Sequence, residues 1–259
     1  MPKRHSNGQH SSEEQTCASR LRILCLHGYH GSAATLRSQM GSLVDGLNSA
    51  AEFVCIDAPS LAAGDFGWWH AKAEQNAAPA EDAGVGPGPK YYSGWQRTRD
   101  DIVALFARQG PFDGLFGFSQ GAALTALLVG LRAPDGVATA AKPLSFDFAV
   151  MVGGFPAVDP DLSKLYDETP SYGLPSLHII GRSDRIVPAE ISRRLARLFA
   201  HPQFLEHDSG HVIASTSEVR AGFRSFLQQM LMRKREAATV LRCRALHCRC
   251  RCGQAARTL

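Results

Sequence analysis

Residues 114–131 constrain the fold of this chain more than any other stretch. Gly114-Leu115-Phe116-Gly117-Phe118 passes without a spacer into Ser119-Gln120-Gly121 and then into an Ala/Leu-rich run ending at Leu131. A short apolar run of this kind reads as a strand buried on both faces, and the run after it reads as a helix. A strand that turns directly into a helix through Gly-x-Ser-x-Gly holds its serine on a sharp, strained turn at the C-terminal edge of a sheet. Gly117 and Gly121 leave space where a side chain would collide with the turn or the neighbouring strand. The Ser119 hydroxyl then stands beside a helix N-terminus, whose partial positive charge favours the anion that develops in acyl transfer. Ser119 is therefore the candidate nucleophile.

The rest of the chain repeats this alternation. Strands are predicted at Arg22–His27, Phe53–Asp57, Gly114–Phe118, Phe148–Val152, Leu177–Gly181 and Gln203–Glu206. Helices are predicted at Leu36–Leu47, Gly94–Gln109, Gln120–Leu131, Ala189–Ala200 and Ser217–Met232. In the second helix Ile102, Leu105 and Phe106 fall at i, i+3 and i+4, one apolar face. The pattern implies an α/β fold, a mostly parallel central sheet flanked by helices on both faces.

Serine needs a base, and the base needs an orienting acid. Asp184 lies in the loop after the predicted strand ending at Gly181, the position from which this kind of sheet supplies its acid. Asp147, Asp159, Asp161 and Asp167 match it by residue type but not by placement. The base must follow the acid, and His211 lies in the loop after the last predicted strand. His207, at that strand's end, is the rival and reads as a local hydrogen-bonding residue, while His201 precedes the strand on the wrong edge. The backbone N–H of Gln120, after the nucleophile, and that of Tyr29, in the loop after the first strand, are the candidate oxyanion donors. His27 reads as a residue that fixes this loop by hydrogen bonding. No metal or organic cofactor is required.

Residues 60–93 break the rhythm. Trp68, Trp69, Tyr91 and Tyr92 flank a Gly/Pro/Ala stretch, Ala77–Pro89, that cannot hold a helix or a central strand. Long loops of this kind are usually functional or disordered. The four aromatics are candidate substrate-binding residues of a cover over an apolar pocket; core anchoring of Trp68 and Trp69 is the alternative.

Charge and cysteine usage separate the C-terminus from the body. The chain carries +4 overall, of which residues 233–259 contribute +7, leaving −3 for residues 1–232. A mildly acidic body gives no nucleic-acid-binding surface. Four of the seven cysteines, Cys243, Cys248, Cys250 and Cys252, crowd the same tail without paired Cys-x-x-Cys spacing. Residues 1–20 and 233–259 are expected to be disordered, with one domain over 21–232. The polar N-terminus matches neither a secretory signal nor an anchor, and no run is long enough to span a bilayer, so a cytoplasmic location is expected.

Taken together, Leu26-His27-Gly28-Tyr29, Trp68-Trp69, Gly117-Phe118-Ser119-Gln120-Gly121, Asp184-Arg185-Ile186-Val187-Pro188 and Gly210-His211 resemble the FSH-type serine hydrolases of the α/β-hydrolase superfamily. The resemblance spans about residues 21–230 and implies hydrolysis of small-molecule carboxylic esters or thioesters through an acyl-enzyme. It departs at Ser209 and Ala214, where the pattern has Gly and Pro, at the Ala77–Pro89 insertion, and after Met232. Three functions follow: an ester hydrolase, a thioesterase acting on a carrier or CoA, and a non-catalytic binding module on a hydrolase scaffold.

Overall fold

The structure, a computed structural model, describes residues 20–62, 65–73, 90–167 and 172–255. Six parallel strands form the central sheet: β1 (Leu21–Leu26), β2 (Ala51–Ile56), β7 (Gly114–Phe118), β8 (Phe148–Val152), β9 (Ser176–Gly181) and β10 (Pro202–His207). Their spatial order is β10-β9-β8-β7-β1-β2. The order reverses between β1 and β7, and the crevice outside the C-terminal ends of the strands at such a reversal is where open α/β sheets bind ligands. Two small antiparallel pairs lie outside it, β3 (Ser60–Ala62) with β4 (Asp65–Phe66) and β5 (His70–Ala73) with β6 (Lys90–Ser93).

Strand periodicity sorts the core into two layers. Leu24 and Leu26 of β1, Leu115 of β7 and Met151 of β8 pack beneath α2 (Trp95–Gln109), α3 (Gln120–Gly130), α4 (Pro160–Asp167) and α5 (Ala189–Ala196). Ile23 and Cys25, Phe116 and Phe118, and Val150 and Val152 pack on the other face, beneath α1 (Ala33–Val44) and α6 (Ser217–Ala255). With both faces covered, the central strands are apolar throughout, as their sequences required. All eleven residues of α3 are buried. This helix is enclosed on every side, which fixes the turn at its N-terminus.

The predicted strands Gly114–Phe118 and Phe148–Val152 match to the residue, and the other four differ by one or two residues at their ends. Helix α4 was not expected. Asp159 caps it, its Oδ1 accepting from the N–H groups of Asp161 and Leu162 at 2.9 and 3.1 Å.

The expectation of a disordered tail needs correction: α6 runs unbroken through residues 233–255. Local preference explains it, because 233–252 holds six Arg and three Ala and neither Gly nor Pro. Among the described residues, Lys234 ties this extension to the sheet. Lys234 Nζ donates to Asp113 Oδ2 at 2.8 Å and to the Arg20 carbonyl at 2.9 Å. Truncation after Met232 is therefore expected to cost about 1–2 kcal/mol, the worth of a charge-assisted hydrogen bond, read as a lower urea midpoint. Lys234→Ala should reproduce most of the loss; an unchanged midpoint in both would show that the extension contributes nothing to the body.

Candidate active site

The tight turn after β7 puts Ser119 in an unusual backbone conformation, φ 56° and ψ −118°. A non-glycine residue at positive φ costs on the order of 1–3 kcal/mol and persists only where its surroundings hold it. Here the Ser119 N–H donates to the Val152 carbonyl of β8 at 2.9 Å, and its carbonyl accepts from the N–H groups of Ala122 and Ala123. Two glycines make the turn possible. A Cβ on Gly117 would lie 2.2 Å from the Gly121 carbonyl oxygen, and one on Gly121 would lie 2.1 Å from the Leu26 carbonyl oxygen.

A continuous chain of hydrogen bonds leads away from the Ser119 hydroxyl. His211 Nε2 stands 2.8 Å from Ser119 Oγ, and His211 Nδ1 stands 2.6 Å from Asp184 Oδ2. The other oxygen of Asp184 accepts from the N–H groups of Ile186 and Val187, both at 2.8 Å. The buried carboxylate is thereby fixed in orientation by its own loop. Its contact to Nδ1 assigns the proton there and leaves Nε2 free to accept from the serine. The Phe118 ring packs 4.9 Å from the imidazole.

His207 occupies a different environment. It is buried at the end of β10, and neither ring nitrogen has a hydrogen-bond partner among the described residues. Burial is the main cause that lowers its pKa, with the nearby Arg182 guanidinium adding to the shift. The expected local hydrogen bond is therefore not made. The ring instead lies close against the Gly181 backbone.

Gln120 begins α3, so its backbone N–H has no acceptor within the helix and lies beside Ser119. The Gly28–Tyr29 loop approaches from β1: a Cβ on Gly28 would sit 3.2 Å from Ser119 Cβ. His27 fixes this loop as expected. Its Nε2 accepts from the Ala58 N–H at 2.9 Å, so Nδ1 carries the proton and donates to the Gly28 carbonyl at 2.7 Å. Burial is the main cause that lowers the His27 pKa, which keeps the ring neutral and able to accept.

The four aromatics divide. Trp68 is a core residue, its indole N–H donating to the His27 carbonyl at 2.8 Å. Tyr91 points to solvent, on the opposite face of β6 from Tyr92. Trp69 and Tyr92 stack at 4.7 Å and line a cavity of about 600 Å³ that opens beside Ser119. Phe155, Pro156, Val187 and Ile191 complete its apolar wall. The Gln120 side chain holds this wall in place, Oε1 accepting from the Trp68 N–H and Nε2 donating to the Trp69 carbonyl, at 3.0 and 2.9 Å. The Ala77–Pro89 stretch lies outside the described residues.

Comparison with known proteins decides the kinship. A family model described as serine hydrolase (FSH1) matches residues 17–222. The chain belongs to the FSH1 serine hydrolase family. Esterase OVCA2 of Xenopus tropicalis is 33% identical over 227 residues, covering 82% of this chain and 94% of that protein. Esterase CG5412 of Drosophila melanogaster is 33% identical over 222 residues, with 82% and 75% covered. Among solved structures, acyl-protein thioesterase 2 of Zea mays superposes with a TM-score of 0.57 at 19% identity, covering 82% of this chain and 94% of that one, a likeness of fold.

One position in this FSH1 hydrolase escaped sequence reasoning. Gly153 follows β8 at φ +56°, and a Cβ there would lie 3.1 Å from His211 Cε1 and 3.6 Å from Asp184 Oδ2. It leaves the imidazole room to lie between acid and serine. Gly153-Gly154 after an apolar strand was the available signal. Among the described residues no group of His, Cys, Asp and Glu side chains is arranged to hold a metal, and no helix is long and apolar enough to cross a membrane.

Proposed function

We propose that this FSH1 hydrolase cleaves carboxylic esters through an acyl-enzyme on Ser119. The observation that carries the reading is the unbroken chain Asp184–His211–Ser119, with contacts of 2.6 and 2.8 Å, at the mouth of a largely apolar cavity. His211 Nε2 takes the Ser119 proton as Oγ attacks the acyl carbon, and Asp184 stabilises the imidazolium that results. The N–H groups of Gln120 and Tyr29 receive the oxyanion at the N-terminus of α3. His211 returns its proton to the leaving alkoxide. Water then attacks the acyl-enzyme with the same assistance, and Ser119 is regenerated as the acid departs. A thioester follows the same route with a thiolate as leaving group.

Trp69, Tyr92 and Ile191 supply apolar surface for an acyl chain. Each methylene buried there is worth about 0.8 kcal/mol. The expected result is therefore a kcat/KM for nitrophenyl esters that climbs about fourfold per methylene until the cavity is filled. A parallel series of acyl thioesters ranks the two leaving groups. A profile that is flat from acetate upward would contradict assignment of this cavity to the acyl chain.

A further inference from the structure

Two positive charges line the cavity beside Ser119. Lys90 and Arg194 both line it, and no carboxylate does among the described residues. Neither cation has an ion-pair partner among the described residues. Their neighbours on α5 and just beyond it behave differently. Arg193 is held by Glu206, with contacts of 2.9 and 3.0 Å, and Arg197 by Glu190 at 2.6 Å. The α5 arginine that turns into the cavity is thus the one left without a counter-charge. This occurs in a body whose net charge over residues 1–232 is −3, so the pair is not a sample of a generally basic surface.

Both charges lie some way along their elements from the loops that flank Ser119. Helix α5 starts immediately after the Asp184–Pro188 loop, and Arg194 lies six residues past Pro188, about 9 Å along the helix axis. Strand β5 leads away from Trp69, whose carbonyl is tied to the Gln120 side chain beside the nucleophile. Lys90 pairs with Ala73 at the far end of that hairpin, two residues and about 7 Å beyond Tyr92. One cavity therefore brings together the Ser119 hydroxyl, apolar walls and two cations.

We propose that the substrate carries an anionic group, carboxylate or phosphate, separated from the scissile carbonyl by an apolar segment, and that Lys90 and Arg194 bind it. The inference rests on the reading of Ser119 as nucleophile and names the substrate class for that site. Arginine and lysine are both strong anion donors, and a hydrogen bond to a charged group is worth enough to raise kcat/KM about tenfold.

The test uses the full chain and two pairs of probes. Mono-nitrophenyl esters of succinic, adipic and sebacic acid are compared with their neutral methyl-capped counterparts, placing a carboxylate on the acyl side. Octanoyl phosphopantetheine is compared with octanoyl pantetheine, placing a phosphate on the leaving-group side. The expected result is an advantage of about tenfold in kcat/KM for the charged member of one pair. In the diacid series it is absent for succinate, which is too short to reach the two cations. The advantage shrinks with added salt, as solvent-exposed charge pairs must. It disappears in the Lys90→Gln/Arg194→Gln double variant and turns into a disadvantage in Lys90→Glu/Arg194→Glu. An advantage in the first pair assigns the anion to the acyl group, and one in the second assigns it to the thiol. Turnover of neutral and charged members at equal kcat/KM in both pairs would overturn the inference and leave the hydrolase reading intact. No turnover of any probe, together with no labelling of Ser119 by a fluorophosphonate, would remove both.

Discussion

His211→Ala is expected to lower kcat by about 10³-fold or more, with KM little changed. In the proposed route the imidazole accepts the Ser119 proton through Nε2, which stands 2.8 Å from Oγ, and no other base among the described residues hydrogen-bonds to that hydroxyl. Without it the hydroxyl must be deprotonated by water, at the cost of most of the general-base contribution. The loss falls on kcat because the imidazole handles a proton during reaction and does not form the apolar wall. His207→Ala is the matched comparison. His207 is also buried, lies four residues away, and belongs to the same strand–loop unit, yet its ring nitrogens make no hydrogen bond among the described residues. Its removal should leave most of kcat in place. Steady-state kinetics on a nitrophenyl ester decide the matter, and a larger kcat loss for His207→Ala than for His211→Ala would reverse the assignment of the base.

Gly121→Ala is expected to be the most damaging glycine-to-alanine change among the described residues. Its Cβ would lie 2.1 Å from the Leu26 carbonyl oxygen and 2.6 Å from that of His27. Both contacts are to backbone, and neither side can yield. α3 is buried along its whole length, and the facing Gly117 is so close that a Cβ on it would lie 2.2 Å from the Gly121 carbonyl oxygen. The expected cost is about 3 kcal/mol or more from overpacking, which lowers Tm by roughly 6–12 °C in a domain of this size. Gly41→Ala serves as control. It lies in α1 with nothing within 4 Å of the added Cβ, so it should be neutral or stabilising by up to about 1 kcal/mol. If the two substitutions had the same effect on Tm, the close packing of the elbow against β1 would be contradicted.

The sheet was legible because its strands are covered on both faces and therefore apolar throughout; Gly114–Phe118 and Phe148–Val152 could be read to the residue. The loops after β7, β9 and β10 were legible for a related reason. A parallel sheet sends every C-terminal strand end to the same edge, so residues distant in sequence, Ser119, Asp184 and His211, meet there. Helix α4 was overlooked although its signal was present: Asp159 followed by Pro160 is an N-cap followed by proline at the first helical position. The aromatics of the 60–93 segment were harder. A tryptophan in sequence does not reveal whether it faces a core or a cavity, and Trp68 and Trp69 do one each. Tyr91 and Tyr92 follow from strand periodicity once β6 is known, since adjacent residues face opposite sides. Gly153-Gly154 after an apolar strand signalled a special position, but its partner was not legible, because the ring it accommodates arrives 58 residues later in the chain. The continuation of α6 beyond Met232 was misread by weighing charge and cysteine content above helix propensity.

The most direct test of the account is the covalent state of Ser119. Intact-protein mass spectrometry after exposure to a fluorophosphonate should show one adduct per chain, mapped by peptide analysis to the segment containing Ser119. Ser119→Ala should show none while keeping the wild-type far-ultraviolet circular dichroism and Tm. An undiminished adduct on Ser119→Ala, or an adduct mapped to another serine, would contradict the assignment of this residue as the nucleophile.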